Sequence, residues 1–474
     1  MSINSLLNTA RDAMTAQQLA VQIASQNIAN ASTAGYSKQR VDLQASLPTV
    51  FPYGSVGTGV SVAGITRARD ALLDSSYRNN AAGSAAANAS STALSQIQSV
   101  FGEPSDTGLS ASLDAFFSAW SDLSADPTNS AAKSVVRQQG QNLASTLNRF
   151  ASQLNLIDQN NREGMNSDVG QVNMLAKQIA ELNNKIVTAQ SNGQPANDLS
   201  DQRDLLLDQI TSLTGGQVVP HANGSVAVYA AGAMIVDDTT VKPLEVYDGQ
   251  PPEIRYANST TAIHGIGGAL GAKLDISATQ IPTVMSKLDA LASGLVTSVN
   301  AIHNGATTFS GNPPVAGTAG NFFDVTVPPP AGGDPRLTAL GIRLSPTLAG
   351  ANDVAASGAG APGPGDNSAA LAMANLRTTA QTLTSIAGST TATLGDFFNE
   401  TVGGLATATQ QAQDEATVQS TLASNADTTR QSVSGVSTDE ELIDIIQHQH
   451  AYQAAARLVS VVNDMMESLV TMGQ

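Results

Sequence analysis

Residue types that could carry out chemistry are sparse in this sequence and form no recognisable site. His448 and His450 stand two positions apart on a predicted helix, about 200° around its axis, so they cannot share one metal ion. The segment Gly265–Leu270 departs from the dinucleotide-binding fingerprint at its last position, and the phosphate-binding sequence Gly-Lys-Ser/Thr does not occur. We therefore expect no catalytic residue, no metal ligand and no cofactor, and we expect that the protein is not an enzyme.

Two groups of carboxylates have simpler explanations than catalysis. Thr438 and Glu441 have the form of a capping box, in which the Thr438 hydroxyl satisfies a backbone N–H of the first turn and Glu441 reaches back, so they predict the start of the last helix. Four aspartates lie within one predicted helix, and the last three share a face. An ion site needs such a cluster, but we favour a solvated helix face for these residues: Asp198, Asp201, Asp204 and Asp208.

The elements most clearly written into the sequence are two terminal helices, each with a seven-residue apolar repeat that is typical of helix pairing. The N-terminal repeat consists of Leu7, Met14, Val21 and Ile28. The C-terminal repeat consists of Ile445, Tyr452, Val459 and Met466, with Val462 and Leu469 at neighbouring positions. Glutamine, asparagine and alanine interrupt both repeats, so each helix should be marginal alone. We predict that these helices pair with each other and with adjoining copies, and that they become ordered on assembly.

Between the ends, the sequence predicts a helical body with a β-rich insertion. Apolar residues at spacings of three and four predict a long helix over 143–186, and a further helix begins near Asp198. The Asn223-Gly224 pair between β-branched runs predicts a hairpin within 217–272. The Gly- and Pro-rich segment 305–365 is expected to extend this β region.

The expected fold class is mainly α with a β insert. We predict an elongated multidomain rod in which the terminal helices pair as a coiled coil, long helices form a middle bundle, and a small β-rich domain lies outermost. The expected domains are a terminal coiled-coil inner domain, 1–35 and 435–474; an extended linker and strand segment, 36–83; a helical middle domain, 84–216, 273–304 and 366–434; and a β-rich outer domain, 217–272 and 305–365.

Charge and composition narrow the choice of partners. The 474-residue chain has a formal charge of −17, and only 4% of its residues are aromatic, which suits small-residue helix packing better than a deep aromatic pocket. Basic residues outnumber acidic ones in 1–80, whereas acidic ones dominate 431–474, so the terminal helices carry opposite charge. No basic stripe with interleaved aromatics is present, so nucleic acid is not an expected partner.

The sequence also bears on where the protein works. It contains no cysteine, which suits a protein that leaves the cell as an unfolded chain. The N-terminal residues show no basic region followed by an apolar core, so no cleavable secretory signal is predicted. No apolar run approaches the roughly 18 residues that cross a bilayer, so the membrane is not an expected partner either.

Two terminal stretches resemble a known group of proteins. The stretch Ser25–Ser37 resembles the N-terminal signature of flagellar rod, hook and hook-associated proteins, carried here by Asn27, Ile28, Ala29, Asn30, Gly35 and Tyr36. The stretches Ser434–Glu441 and Gln449–Arg457 are similar to the matching C-terminal signature. The segment Ala196–Asp204 narrows the resemblance to the hook-associated members.

This resemblance implies a structural subunit of the bacterial flagellum that joins hook to filament. It implies export by the flagellar type III apparatus and assembly outside the cell. The implied partners are further copies of the chain in a ring or helical tube, the hook protein, the second hook-filament junction protein, and a cytoplasmic export chaperone that holds the C-terminal helix. Compared with longer members, the chain is expected to lack a second outer domain.

Three other interpretations remain open at this point. The chain could be the second junction protein or another axial subunit, although the long helix over 143–186 is unlike hook and rod proteins, whose bodies are mostly β. A secreted enzyme with axial-protein export tails would need a deep pocket in 217–365 with convergent polar groups. A cytoplasmic coiled-coil adaptor would not need the motif from Asn27 to Tyr36.

Overall fold

A computed structural model describes residues 3–51, 54–103, 105–310, 314–326, 338–360 and 363–472. Long helices dominate this part of the chain. The helices are α1 Ile3–Asn30, α2 Ala71–Phe101, α3 Leu109–Ala125, α4 Ser130–Ser191, α5 Asn197–Thr214, α6 Gly268–Asp275, α7 Ile281–His303, α8 Thr338–Gly341, α9 Ser368–Asn375, α10 Leu394–Ser434 and α11 Thr438–Met472. A π-helical turn, Ile276–Gln280, joins α6 to α7.

Short strands lie between these helices. They are β1 Gln39–Ala45, β2 Thr49–Phe51, β3 Gly54–Val56, β4 Val60–Arg67, β5 Gln217–Pro220, β6 Val226–Ala230, β7 Ala233–Asp237, β8 Thr240–Val241, β9 Leu244–Tyr247, β10 Glu253–Tyr256, β11 Thr307–Ser310, β12 Val315–Thr318, β13 Phe323–Val325, β14 Ile342–Leu344, β15 Gln381–Ser385 and β16 Gly388–Ala392. All the strand pairs recorded for the described residues are antiparallel: β5 to β8 form a four-stranded sheet, and the others pair two by two.

The 62-residue helix α4 contributes to two hydrophobic cores. Its start is fixed by Asn129, whose side chain accepts hydrogen bonds from the N–H groups of Ala131 and Ala132. Its first half packs through residues such as Phe150 into a hydrophobic core that also holds Trp120. Its second half packs into another core beneath the β5–β8 sheet. One helix therefore connects two separately packed regions.

The two β-rich segments contribute to different cores. Residues of 217–272, including Val228 and Ile254, pack in the core beneath the β5–β8 sheet. In contrast, Phe322 and Phe323 of 305–365 are fully buried in the core around Trp120. The structure thus separates the segments that the sequence analysis grouped into one outer domain, because this aromatic pair anchors the Gly- and Pro-rich segment on the helical body.

Two further boundaries differ from the sequence analysis. Helix α2 begins at Ala71 and not near residue 84, because Asp70 accepts hydrogen bonds from the N–H groups of Leu72 and Leu73 and so caps an earlier start. The segment 366–434, which was expected to be helical, contains the β15–β16 hairpin, rich in Thr and Ser, before α10. The remaining long elements, including the hairpin at Asn223-Gly224, form where they were predicted.

The two terminal helices pack against each other in antiparallel orientation. The pairing is fixed at two levels, because Asn27 bonds to Glu441 and Gln17 bonds to His448. Positions nearer the N-terminus of α1 therefore lie beside positions nearer the C-terminus of α11, and both ends of the described chain lie at the same end of the helix pair. The predicted fold class, a mainly α rod with a β insert, is confirmed.

Candidate assembly site at the base of the terminal helices

The end of α1 is tied to the start of α11 by the buried amide of Asn27, which is 1% exposed. Its Nδ2 donates to the carbonyl oxygen of Gln39 at 2.8 Å and to Oε2 of Glu441 at 2.9 Å. Its Oδ1 accepts from the Tyr36 hydroxyl at 2.8 Å and from the Gln39 N–H at 3.0 Å. The amide thus makes the four hydrogen bonds available to it, and these join α1, β1 and α11. We call Asn27, Tyr36, Lys38, Gln39 and Glu441 the base cluster.

Glu441 brings a buried negative charge into the base cluster. Its Oε1 lies 2.9 Å from Nζ of Lys38, and the backbone N–H of Lys38 donates to the carbonyl oxygen of Ser434 at 2.9 Å. Burial alone would lower the pKa of Lys38, but the hydrogen bond to Glu441 and its charge raise that pKa above the ordinary value. The carboxylate is stable in this position because it is both paired and hydrogen-bonded.

Tyr36 remains a hydrogen-bond donor in this environment. Burial, together with the negative charges of Asp198, Asp201 and Glu441, raises the pKa of Tyr36 to about 12. The hydroxyl therefore keeps its proton and donates it to Asn27. The aromatic position of the motif has a structural role here and does not act as an acid or base.

The loop after α1 docks onto α5. Gly35 has a φ of 79°, and a Cβ added there would lie 3.4 Å from Cβ of Leu205, so glycine suits both the backbone conformation and the close approach. The N–H and hydroxyl of Ser37 both donate to the carboxylate of Asp201, at 3.0 and 2.7 Å. The loop is thereby fixed on the helix that carries the aspartates.

Three of the four aspartates of α5 pair with arginines: Asp201, Asp204 and Asp208. The predicted solvated face is therefore wrong for these three, whereas Asp198 is exposed. Nη1 of Arg67 lies 2.8 Å from Oδ1 of Asp201 and 2.7 Å from Oδ2 of Asp204. Burial would raise the pKa of Asp204, but the charges of Arg69, Arg67 and Arg78 hold it below the usual value. Sequence reasoning missed this arrangement because the arginines come from distant positions in the chain.

A second group of ion pairs locks α10 onto α2 and α5, just before the turn into α11. Asp208 receives Nε of Arg78 at 2.7 Å and Nη1 of Arg430 at 2.6 Å. The guanidinium of Arg430 also lies 3.7 Å from the centre of the Tyr77 ring and pairs with Asp427. These ion pairs thus hold the helices from which the terminal pair extends in a fixed arrangement.

The predicted N-terminal repeat lies at the edge of the buried face of α1. Leu7 is exposed, and Met14, Val21 and Ile28 are half-buried. The residues that are buried instead are small or lie one turn away: Ala10, Ala16, Ala20, Ile23 and Ala24. Alanines allow the closer approach of the two helices, and a search for large apolar residues does not detect them. Of the motif residues, Asn27 is buried, Ile28 and Asn30 are half-buried, and Ala29 is exposed.

The predicted C-terminal repeat is buried in part. Val462 is 2% exposed, and Ile445 and Val459 are half-buried. Tyr452 and Met466 are exposed. The side chain of Leu469 lies outside the described residues.

The capping box predicted at Thr438 and Glu441 is not formed. Ser437 takes the capping position, since its hydroxyl accepts from the N–H of Glu440 and its carbonyl oxygen accepts from the N–H of Glu441. The side chain of Glu441 turns away from the helix start because Asn27 and Lys38 pair with it. The last helix nevertheless starts where the motif predicted.

Helix α11 has a second apolar face that α1 does not cover. Ile443 is 54% exposed, and the other members of this face are exposed as well. Ile443 and Val461 lie on one line of the helix, five turns apart, and Leu458 and Met465 are three and four residues from Val461, so these four share a flank of α11 that adjoins Val462. Ile446 follows Ile443 by three residues. We call these residues the outer face of α11: Ile443, Ile446, Leu458, Val461 and Met465.

The histidines of α11 do not meet. Nδ1 of His448 lies 2.6 Å from Oε1 of Gln17, whereas His450 is exposed. Across the described ranges, no group of three or more His, Asp or Glu side chains is arranged to hold a metal ion. In the same ranges, none of the helices has the length and apolar character needed to cross a membrane.

Comparison with known proteins identifies the family. Flagellar hook-associated protein 1 of Bacillus subtilis (strain 168) is 32% identical over a match that covers 98% of this chain and 97% of that protein. The chain belongs to the flagellar hook-associated protein 1 family. The Salmonella typhimurium member is 28% identical over 69% of this chain, a match that spans 63% of its own length. The protein is therefore a structural component of the bacterial flagellum.

Three family descriptions match successive parts of the chain. The helical domain of the flagellar hook-associated protein FlgK matches residues 94–323. A flagellar basal body rod domain matches 7–36, and the C-terminal domain of basal body rod proteins matches 428–472. The last two matches contain both helices of the terminal pair and the Asn27–Glu441 contact.

A solved structure shares the fold. The flagellar hook junction protein FlgK from Burkholderia pseudomallei superposes with a TM-score of 0.64, at 17% sequence identity, over 77% of this chain and 100% of that chain. At this level of identity the comparison shows a common architecture.

Proposed function

We propose that this chain joins hook to filament by polymerising through its terminal helices into a ring or helical tube outside the cell. The observation that carries this proposal is the outer face of α11, which is apolar and stays exposed although α11 packs on α1. Its axial neighbours would be the hook protein on one side and the second junction protein on the other. A helix that pairs along one line and exposes apolar residues beside it is suited to contacts between copies.

The energetics favour many contacts over a simple dimer. The five side chains of the outer face are about half exposed, and covering the rest of each contributes about 1 kcal/mol, or about 5 kcal/mol in total. Association costs roughly 4–15 kcal/mol in lost freedom. One such contact is therefore marginal, whereas a tube gives each copy several. Because the contact joins different surfaces of successive copies, it generates a ring or helix.

The base cluster supports this role mechanically. Asn27, Glu441 and Lys38 fix the angle at which the terminal pair leaves the helical body. The ion pairs of Asp204 and Asp208 hold that support together. A subunit between a flexible hook and a stiffer filament needs such a fixed connection.

The same outer face explains the proposed cytoplasmic partner. Before export, an exposed apolar helix such as α11 is an aggregation hazard. A chaperone that covers Ile443, Ile446 and Val461 would remove this hazard and keep the helix from pairing early. The absence of cysteine from the sequence is compatible with passage as an unfolded chain.

We propose no catalytic role. The support is membership of a family of structural proteins, together with a base cluster whose polar groups bond to one another. The carboxylates of α5 are likewise held by Ser37 and Arg67.

A pair of aspartate substitutions tests polymerisation. We expect Ile443→Asp with Val461→Asp to abolish incorporation into junctions in a deletion strain, since two charges would be buried between copies. The purified variant should keep its thermal unfolding midpoint, because both positions are exposed in the single chain. Ile386→Asp, an equally exposed apolar position at the β15–β16 turn, is the matched control and should assemble normally. Normal junctions built from the double variant would overturn the proposal.

A further inference from the structure

A cavity far from the terminal helices lies at the N-terminal end of α4. Its volume is about 210 Å³, and it is bordered by Lys133, Thr307, Asn352, Ser357 and Asp366. These residues come from the first turn of α4, from β11, from the short 3₁₀ turn Ala351–Asp353 and from the loop before α9. The assembly contacts proposed above do not involve this cavity.

Lys133 is the notable group here. It is 6% exposed, and among the described residues no carboxylate pairs with it and no hydrogen bond to its side chain is formed. A buried ammonium without a counter-charge is costly, and burial lowers the pKa of Lys133. The side chain lines the cavity, so a negative charge placed there would compensate this cost.

Other groups around the cavity also favour a negative charge within it. The cavity lies at the start of a 62-residue helix, where the helix dipole favours a negative charge. The hydroxyl of Thr307 and the amide of Asn352 also border the cavity, and within the described ranges neither side chain has a recorded hydrogen-bond partner. Three kinds of donor therefore face one space.

Among the described residues that border the cavity, Asp366 is the one carboxylate, and it bonds to its own loop. Asp366 accepts from the hydroxyls of Ser357 and Ser368, both at 2.8 Å, and from the N–H of Gly358 at 2.8 Å. These three bonds are all to Oδ2, and Oδ1 accepts from the N–H of Ser368 at 3.2 Å. Asp366 therefore shapes the loop, and within the described ranges it makes no ion pair with Lys133.

We propose that this cavity is a binding site for a small oxyanion, held by the Lys133 ammonium with the Thr307 hydroxyl and the Asn352 amide. Inorganic phosphate and a carboxylate offer the same acceptor chemistry to these donors. Binding at this place would brace α4 against β11 at the hydrophobic core that holds Trp120, which we call the upper core.

Thermal unfolding and calorimetry of the full chain test the site. At constant ionic strength, phosphate or acetate replaces chloride, and Trp120, the only tryptophan, reports unfolding of the core that contains α3 and the first half of α4. We expect one of the two anions to raise the midpoint of the wild-type chain. Affinity should fall about tenfold or more in Lys133→Met, as for the loss of a charge-assisted hydrogen bond. Lys177→Met, which changes an exposed lysine of α4, should bind like wild type.

The same variants also separate anion binding from folding of the chain. Without added anion, Lys133→Met should be at least as stable as wild type, because it removes an uncompensated buried charge. Thr307→Val should fold normally and weaken anion binding, which provides a second variant if Lys133→Met does not fold. An equal midpoint rise in wild type and Lys133→Met, or no rise in either anion, would overturn the proposal. The stronger of the phosphate and acetate responses identifies the ligand class.

Discussion

The base cluster makes a quantitative prediction for Asn27→Ala. The substitution removes four hydrogen bonds, one of them to the buried carboxylate of Glu441. Neutral hydrogen bonds contribute about 0.5–1.5 kcal/mol each and one to a charged group about 1.5–3 kcal/mol, so the full loss is about 3–7.5 kcal/mol. Water entering the vacated space compensates part of this, so we expect the lower end, about 3 kcal/mol.

Amide hydrogen exchange measures this loss directly. The N–H of Lys38 bonds to Ser434 across the base, so its exchange reports opening of this contact. A loss of about 3 kcal/mol predicts exchange about a hundredfold faster in the variant. The unfolding midpoint reported by Trp120 should not change, because that residue lies in the separate core of the helical body.

The control and the refuting result are both clear. Asn80→Ala removes an amide that bonds only within its own helix, to the carbonyl oxygen of Ser76 at 2.8 Å, and should leave Lys38 exchange unchanged. If Asn27→Ala also left that exchange unchanged, the amide would not hold the terminal helices to the body. If Asn27→Ala also lowered the unfolding midpoint reported by Trp120, the base cluster would not open separately from the core of the helical body.

Two further predictions concern the loop and the upper core. Gly35→Ala places a side chain in the left-handed backbone region, which costs about 1–2 kcal/mol, and should speed amide exchange at Lys38. Gly193→Ala is the control, because Gly193 has a φ of 72° and open space around it, so the variant should carry the same strain without faster exchange at Lys38. Equal Lys38 exchange rates in the two variants would contradict this prediction. Burial lowers the pKa of His303, whose Nδ1 lies 2.6 Å from the Gly320 carbonyl oxygen and whose Nε2 accepts from the Ala355 N–H. His303 therefore binds a proton less readily in the folded state than in the unfolded chain. Its neutral form contributes stability above about pH 6.5, and this contribution is lost as the pH falls below that value. The Trp120 midpoint should decline below about pH 6.5 in wild type and less steeply in His303→Gln, and equal slopes would refute this role.

Local patterns predicted most of the helices because each is encoded within a few turns. The long helix around 143–186, the start of α5 near Asp198 and the hairpin at Asn223-Gly224 depend on residues close together in the chain. The split between two cores depends instead on where Phe322 and Phe323 pack, which no local pattern reveals.

The base cluster was only half visible in the sequence. Asn27 and Tyr36 stood out because they belong to a motif, but their partners Gln39 and Glu441 are far apart in sequence, and Glu441 looked like a helix cap. The residues just after the left-handed Gly35 offered a signal that was not used. Ser37 and Lys38 are polar, follow a tight turn and are held in place, as functional loop residues often are.

A high-resolution reconstruction of the assembled hook–filament junction tests the central claim most directly. The account predicts that α1 and α11 of each copy remain paired through Asn27 and Glu441, and that Ile443, Val461 and Met465 are buried against the terminal helices of adjoining copies. A reconstruction in which these three side chains face open space, or in which α1 and α11 lie apart, would contradict it.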